Sequence, residues 1–500
     1  MQSNPSLSGA IEKEFKKLEL DKGDLMTRAE QYAGWTLPNL FTPNVSPGQE
    51  QQGDFQSLGA QGVNHLANKL VFALFNPTRP FFKLEADPDY KAQLEEDGIT
   101  DAQLQVVFSK AERMSMTNLL RRRIRVNVVM AMKHLIITGN CLVYVPPNGG
   151  DVQVYSLRDY VCRRDLSGKA VLLITKDHKK KATLPTEVQA QLPTYDAEDN
   201  VVLYTRVEYR DNRYYMTQAV NDVPLDSTGE WDELSIPWIP LTWSMPRGWQ
   251  YGTGLVEEYA GSFNVVSILS ESLVRAGAIS ADIKFLVDPS GITDFQALNK
   301  AENGEYVPGR TDDVQALQLG KDRDLQWVQS LLEVVERRIA QAFLLNSAVT
   351  RDAERVTAEE IRRQAQELET SLGGVYSALA DDLQTPLAYL TLKASDFEVD
   401  GKKIKPLIVT GMDSLQRDSD ADNMLLFLGD LAQLASVPEP LLARIKPEAL
   451  TQLLAANRGI DYENFLKSEK EVQQEQAQQQ QALAQQQAQP QQAQPQQVPR

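Results

Sequence analysis

Apolar residues recur at steps of three and four over residues 355–395, which is the spacing of one face of a helix. These positions form the apolar stripe: Ile361, Ala365, Leu368, Leu372, Val375, Leu379, Leu383, Leu387 and Leu390. Thr357 followed by Glu360 has the spacing of a capping box, whose side chains accept hydrogen bonds from free backbone N–H groups at a helix start. The pattern therefore predicts one long helix that begins near Thr357.

We expect this long helix to kink at two places. Gly373 and Gly374 lie in the middle of the stripe, and Pro386 lies further on. Glycine pairs weaken a helix locally, and proline removes a backbone donor and clashes with the preceding turn. A long, bent helix with a single apolar stripe is typical of an architectural element and not of a catalytic pocket.

The first half of the chain divides into a helical and a β-rich part. Residues 1–140 show mainly helical spacing. Over residues 141–245, short β-rich runs alternate with turn signals such as Asn148-Gly149-Gly150. This alternation is typical of antiparallel hairpins, so the fold class that we predict is mainly α with an antiparallel β region, that is, α+β.

Two further helices are predicted on either side of a small unit. Residues 251–281 and 325–345 have helical spacing. Between them, residues 282–324 combine a short helix with strand-like pieces, two of which lie near Tyr306 and Val314. The order is therefore helix, small α/β unit, helix.

The second of these helices has apolar residues outside its main stripe. Val328, Leu332, Val334 and Leu344 form a second apolar flank. Contact on both flanks would occur in a closed ring of subunits or in the core of a large monomer. The sequence leaves both possibilities open.

The remaining segments are a polar loop, a helical region and a polar tail. Residues 346–354 are short and polar and predict an exposed connection between helices. Residues 396–470 contain shorter helical patterns, and residues 471–500 consist largely of Gln and Ala with three prolines. Such a tail buries too little apolar area to fold alone, so we expect it to be disordered.

Composition narrows the classes of function. A chain of 500 residues can hold more than one domain, and its formal net charge of −17 argues against holding nucleic acid by bulk attraction. It does not argue against letting nucleic acid pass. We find no signal peptide and no apolar run long enough to cross a membrane. Cys141 and Cys162 lie in β-rich segments and are interpreted as small buried apolar residues.

No cofactor, metal or catalytic site is predicted. The chain has no P-loop, and its three histidines match no metal-ligand spacing. The acid pairs Asp312-Asp313 and Asp381-Asp382 are interpreted as solvated helix faces. Two interpretations are open for the basic run Arg121-Arg122-Arg123-Ile124-Arg125. A solvated helix face whose arginines pair with acidic side chains is favoured, and the other interpretation is an interaction patch for DNA or a partner protein.

Three stretches together resemble a known family. The first is Arg355-x-Thr357-Ala358-x-Glu360 followed by Arg363, Glu367 and Leu372-Gly373; the others are residues 28–43 and residues 59–77, which lead into 80–85. In this order they resemble the portal proteins, or head-to-tail connectors, of short-tailed, podovirus-type bacteriophages. The resemblance implies these divisions: wing 1–250, stem helix 251–281, clip 282–324, stem helix 325–345, tunnel loop 346–354, long kinked wing helix 355–395, helical crown 396–470 and tail 471–500.

The resemblance also implies a function. Portals form a ring, usually of twelve copies, at one capsid vertex, and double-stranded DNA passes through its channel during packaging and ejection. The implied partners are the major capsid protein, the scaffold protein, the terminase large subunit and tail adaptor or tube proteins. Such a ring nucleates capsid assembly in the host cytoplasm and remains in the virion, with no membrane, no cofactor and no enzyme activity. The alternatives are a cytosolic coiled-coil scaffold or adaptor and, less favoured, a DNA-processing nuclease.

Four arginines are candidates for contact with DNA in such a channel. Arg337 and Arg338 lie in the second stem-like helix, and Arg351 and Arg355 lie in or beside the implied tunnel loop. Ion pairs between subunits, with Glu333, Glu336 or Glu354 as partners, explain these arginines about equally well.

Overall fold

Helices dominate the first and last thirds of the described chain, most antiparallel strands lie between them, and the last described element is a strand. The structure is a computed structural model, which describes these residues: 10–41, 53–75, 80–96, 101–147, 149–221, 223–281, 284–317, 322–345, 367–368, 370–395, 397 and 403–408. All of them belong to one unit of the chain, Met1–Gly411. The expected α+β class is confirmed.

The helices are numbered in chain order. Those before the β-rich part are α1 Ala10–Leu20, α2 Gly23–Trp35, α3 Leu58–Leu74, α4 Pro88–Glu96, α5 Asp101–Arg121 and α6 Ile124–Thr138. Those that follow are α7 Thr186–Ala190, α8 Leu255–Glu258, α9 Ala260–Ala281, α10 Phe295–Lys300, α11 Asp322–Ala342, α12 Val375–Leu379 and α13 Thr385–Lys393. None of the described helices is both long and apolar enough to span a bilayer.

All strand pairs among the described residues are antiparallel. The strands are β1 Phe82–Ala86, β2 Asn140–Tyr144, β3 Gln153–Tyr155, β4 Tyr160–Arg164, β5 Ala170–Lys180, β6 Asn200–Arg210, β7 Arg213–Val220, β8 Val223–Asp232, β9 Trp238–Thr242, β10 Lys284–Val287, β11 Val314–Leu317 and β12 Ile404–Ile408. They form a five-stranded sheet in the order β4-β5-β6-β7-β8, a three-stranded sheet β3-β2-β9, and the pairs β1-β12 and β10-β11. Successive strands of the large sheet are neighbours, as expected for hairpins.

Helix α1 covers one face of the large sheet. Ile11, Phe15 and Leu18 recur on one side of α1 and are buried against apolar residues of the sheet, including Ile174 and Tyr204. The Phe15 and Tyr204 rings lie 5.5 Å apart. The helical spacing of the apolar residues in α1 therefore places them all on the side that packs against the sheet.

The main core lies around α3 and α6, which pack on each other. Gly62 allows a close approach at this core, since a Cβ there would lie 3.0 Å from the ring of Phe343. Helix α6 ends at Gly139, whose φ of 74° favours glycine. Next to it, the buried Asn140 side chain donates to Gly252 O and accepts from Gly252 N, both at 2.8 Å. These bonds tie the end of α6 to the segment that leads into α8 and α9.

The long helix expected over 355–395 is described only from residue 367. Gly373 and Gly374 form a turn with φ of 60° and 90°, between helical residues 370–372 and helix α12. A π-helical segment, Ala380–Gln384, then joins α12 to α13, and Pro386 lies in the first turn of α13. The glycines interrupt the helix because positive φ does not fit a right-handed helix.

One strand expectation is wrong. Val314 begins strand β11, but Tyr306 lies in no strand and its side chain is fully exposed. Gly304, with φ of 96°, and Pro308 flank Tyr306 and prevent regular strand pairing there. Cys141 and Cys162 are both free and buried.

Candidate functional site

The helix pair α9 and α11 is held to the main core at one end. Phe263, near the start of α9, and Phe343, just beyond the end of α11, are both fully buried. Their rings meet edge to face at 5.8 Å, and the Trp35 ring of α2 stacks on Phe263 at 6.4 Å. Because the start of one helix meets the end of the other, α9 and α11 run antiparallel, away from and back toward the core.

Beyond this anchor, the helix pair exposes large apolar side chains. On α9 the exposed fractions are 52% for Ile268, 54% for Val274 and 59% for Ile279. On α11 they are 67% for Trp327 and 52% for Val334. Trp327 and Val334 are seven residues apart, so they share one face of α11. Two neighbouring helices thus carry unpartnered apolar surface within this chain.

The second apolar flank of α11 separates into buried and exposed members. Leu344 is buried in the main core of the chain, while Val328 and Leu332 are half-buried. Val334 is exposed. Burial within one chain therefore explains Leu344 but does not explain Val334.

Arg337 and Arg338 are both exposed on α11. Neither guanidinium forms a hydrogen bond or an ion pair with a described residue. The nearby Glu333 accepts a long hydrogen bond of 3.4 Å from Gln329 on the same helix. Among the described residues, both guanidiniums are thus without an acidic partner, and Glu354 lies outside these residues. Arg351, Arg355, Thr357 and Glu360 lie outside the described residues.

The small unit between α9 and α11 is organised around one buried carboxylate. Asp313 is 7% exposed, and its Oδ2 accepts hydrogen bonds from Ile292 N at 3.0 Å, Thr293 N at 3.1 Å and Thr293 Oγ1 at 2.7 Å. Gly291 packs so tightly that a Cβ would lie 2.6 Å from Asp313 Cγ. The interpretation of Asp312-Asp313 as a solvated pair is thus wrong for Asp313, since backbone N–H groups about 20 residues away satisfy its charge. Sequence spacing gives no signal of such a distant partner.

The same small unit exposes apolar side chains. Phe285 and Leu286 on β10 are 63% and 57% exposed, and Ile292 in the following turn is 79% exposed. The unit therefore stabilises itself with polar contacts and leaves much of its apolar surface for other contacts.

One cleft of the described chain lies away from the helix pair α9 and α11. A cleft of about 690 Å³ lies between the β4–β5 turn, β9 and the π-helical segment. Two of its three cations have partners: Arg164 Nη1 donates to Gly168 O at 2.8 Å, and Lys169 pairs with Glu233 at 2.7 Å. Within the described part of the chain, no three His, Cys, Asp or Glu side chains lie together as metal ligands would.

Comparison with known proteins identifies the family. The model of the bacteriophage head to tail connecting protein family matches residues 8–466. The portal protein of Enterobacteria phage SP6 is 34% identical over 472 residues, which are 93% of this chain and 91% of that protein. The portal protein of Escherichia phage T7 is 34% identical over 481 residues, covering 92% and 88%. That of Pseudomonas phage phiKMV is 33% identical over 470 residues, covering 91% and 92%.

A solved structure, the neck of an empty GTA particle, is similar over 73% of this chain and 84% of that chain, with 13% identity and a TM-score of 0.35. That likeness is too distant to add to the sequence relationship. The relatives are structural portal proteins, so this chain is not an enzyme, and neither the coiled-coil adaptor nor the nuclease is supported. The resemblance seen in the sequence is confirmed, and the chain belongs to the family of bacteriophage head to tail connecting proteins, as a portal protein of the short-tailed phage type.

Proposed function

We propose that copies of this chain close into a ring of twelve at one vertex of a phage capsid, and that double-stranded DNA is packaged and ejected through its channel. The observation that carries the proposal is the exposed apolar surface on both α9 and α11. A helix pair that exposes apolar side chains on both of its helices suits contact with neighbouring copies. Such head-to-tail contacts close into a ring when the rotation between copies permits it.

Charge supports passage of DNA and not tight binding. Each copy carries a net charge of −17, so the ring as a whole is strongly acidic and repels phosphates. Arg337 and Arg338, which lack partners within the described chain, supply local positive charge on α11. Arg351 and Arg355 are further channel candidates from sequence position. Each is repeated in every copy, so weak single contacts add up.

The exposed small unit is the proposed docking site for proteins outside the capsid. Residues 282–324 correspond to the clip, and their exposed Phe285, Leu286 and Ile292 suit contact with the terminase large subunit and later with tail adaptor or tube proteins. The helical and β-rich part over 1–250 corresponds to the wing, which would contact the scaffold and major capsid proteins and nucleate capsid assembly. The ring would assemble in the host cytoplasm and stay in the virion.

Native mass measurement and negative-stain imaging of the purified protein test the ring. We expect one closed species with a central hole. A monodisperse monomer at micromolar concentration would contradict the proposal.

A packaging assay tests the role of the loop arginines. Arg351→Ala should leave the ring intact but reduce DNA packaging or retention, and Arg351→Glu should be worse because it replaces attraction by repulsion. The defect should change with ionic strength, since phosphate contacts are salt-dependent. Arg210→Ala is the control, because Arg210 is exposed on the large sheet and pairs with Asp211. Normal packaging by both Arg351 variants would exclude this loop as a DNA contact.

A further inference from the structure

The outer face of α5 combines apolar and basic side chains and, within residues 103–121, contains no acidic one. Its inner side packs against β1, α6 and α13. Its outer side exposes Val106 at 69%, Val107 at 52%, Met114 at 48% and Leu120 at 43%. Lys110, Arg113, Thr117 and Arg121 are exposed between them. In an acidic chain, this surface is unusual in both its apolar content and the sign of its charge.

The acidic side chain of α5 within 103–121 points away from this face. Glu112 is half-buried, and its Oε1 accepts a hydrogen bond from Leu84 N of β1 at 2.7 Å. Burial raises the pKa of this carboxyl. Glu112 therefore offers no hydrogen-bonding carboxylate to the outer face, although its charge still acts on the neighbouring Arg113.

The spacing along the outer face suits a second helix. Val106, Arg113 and Leu120 lie in one row at steps of seven residues, and Val107, Met114 and Arg121 lie in the next. Rows at this spacing run nearly parallel to the helix axis, as in the seam between two packed helices. Each row holds two apolar side chains and one cation. Helix α5 is about 30 Å long, since a helix rises 1.5 Å per residue.

The basic character continues into the start of α6. Arg125 has its Nε and Nη2 shielded from water with no hydrogen-bond partner, and burial lowers the pKa of its guanidinium. Arg122, by contrast, donates to Pro146 O at 3.0 Å. Shielded N–H groups without partners destabilise a protein, so the described part of the chain does not fully satisfy Arg125. None of Arg113, Arg121 or Arg125 forms an ion pair with a described residue, so the expectation of a face paired with acids is not met within this part of the chain.

We propose that the outer face of α5, continued by the start of α6, docks an acidic amphipathic helix of a different protein in the particle. The apolar side of that helix would cover Val106, Val107, Met114 and Leu120, and its carboxylates would lie opposite the cations. The inference rests on the proposed function, because it assigns a partner to the assembled protein.

Other occupants fit this face less well. DNA would use the cations but would leave four apolar side chains in water. A membrane surface favours an apolar side separate from the cations and often aromatic, whereas here the two kinds alternate and no aromatic residue is exposed. A second copy of the chain remains as an outcome of the test.

Site-specific photo-crosslinking in assembling particles tests the proposal. A benzophenone amino acid replaces Val107 or Met114, and crosslinked peptides from irradiated particles are identified by mass spectrometry. Leu166, which is 88% exposed in the β4–β5 turn, is the control position. We expect both α5 positions, and not position 166, to crosslink to one acidic segment of another protein. The sites on that segment should lie about seven residues apart for a packed helix. Crosslinks to other copies of this chain, to DNA or to lipid, or yields equal to those at position 166, would overturn the proposal.

Charge reversal gives a second measurement. Lys110→Glu with Arg113→Glu should reduce the crosslink yield from position 114 at least tenfold, while Lys179→Glu with Lys180→Glu should not. Unchanged yield in the first pair would contradict an acidic partner. Native mass measurement on the same purified variants reports ring formation separately, so failure of the ring and failure of this docking surface are distinguishable.

Discussion

Helices α6 and α9 contain similar apolar residues, but the exposed fractions of these side chains differ. In α6, Ile124, Val128 and Leu135 are at most 1% exposed, because α2, α3, α8, β2 and β3 pack against that side of the helix, and Val126 is the more exposed exception at 66%. In α9, Ile268 and Ile279 are more than half exposed, although Phe263 near its start is fully buried. The chain itself buries most of the apolar surface of α6, whereas it leaves much of the apolar surface of α9 exposed, and under the proposed function a neighbouring copy would cover it.

The exposed apolar side chains of α9 and α11 represent binding free energy that the single chain does not use. Burying a large aliphatic side chain completely is worth about 1.5–3 kcal/mol. A neighbouring copy that covered the exposed half of Ile268, Val274 or Val334 would therefore contribute on the order of 1 kcal/mol for each. Removing a side chain at the anchored end should destabilise the chain, whereas removing one at the exposed end should weaken only assembly.

The largest effect on the free energy of unfolding is expected for Phe263→Ala. Phe263 contacts both Trp35 and Phe343 in the main core, so its removal leaves a cavity and should cost about 3–5 kcal/mol. Urea unfolding followed by circular dichroism measures this cost. Val265→Ala is the control on the same helix, because Val265 is 37% exposed, and it should cost less than about 1 kcal/mol. Equal costs would mean that α9 is not anchored at this end.

A pH-dependent effect on the free energy of unfolding is expected from Lys22, which the chain buries. Lys22 lies between α1 and α2, is 1% exposed, and donates to Leu157 O at 2.5 Å and Tyr160 O at 2.7 Å. Burial lowers the pKa of Lys22 from 10.5 to about 8. Between these two values the unfolded chain binds more protons at Lys22 than the folded chain does. The free energy of unfolding should therefore rise with pH across this window, by up to about 3 kcal/mol.

Unfolding of the wild type and of Lys22→Met at pH 7.5, 9 and 10.5 measures this contribution. The methionine variant removes the titrating group, so its stability relative to the wild type should fall as the pH rises. A constant difference across the three pH values would show that Lys22 keeps an ordinary pKa.

A smaller and local effect is expected in the small unit. Asp313→Ala removes an acceptor of three hydrogen bonds and leaves the N–H groups of Ile292 and Thr293 without a partner. The local cost should be about 2 kcal/mol. Hydrogen exchange of amides within 284–317 should accelerate, while exchange in α6 should not change. Asp312→Ala is a matched control because Asp312 is exposed; equal acceleration in both variants would argue against the buried carboxylate as the organising contact.

The sequence predicted the α+β class of the described residues, because repeated apolar spacing decides which segments become helices or hairpins. It did not distinguish Asp313 from Asp312, since the distinction depends on backbone groups brought together by folding. It also left open whether Val334 is buried in the chain, because the apolar character of Val334 and Leu344 is the same while their neighbours in space differ. The docking face on α5 was missed for a related reason: its basic end suggested a solvated surface, and which apolar residues stay exposed beside it depends on how α5 packs.

The smallest effect on the free energy of unfolding is expected for Trp327→Ser combined with Val334→Ser. This double variant also tests most directly whether the exposed face of α11 is an interface between copies. Both side chains are more than half exposed, so the free energy of unfolding of the monomer should change by no more than about 0.5 kcal/mol. Assembly should suffer strongly, because every copy in the ring loses the same contact. Native mass measurement over a range of protein concentrations reports the assembly, and unfolding under conditions that keep the chain monomeric reports the stability. Leu166→Ser is the control for an exposed apolar residue outside the helix pair. Normal rings from the double variant would mean that the exposed face of α11 is not an interface between copies, whereas a large loss of monomer stability would mean that this face packs within the chain.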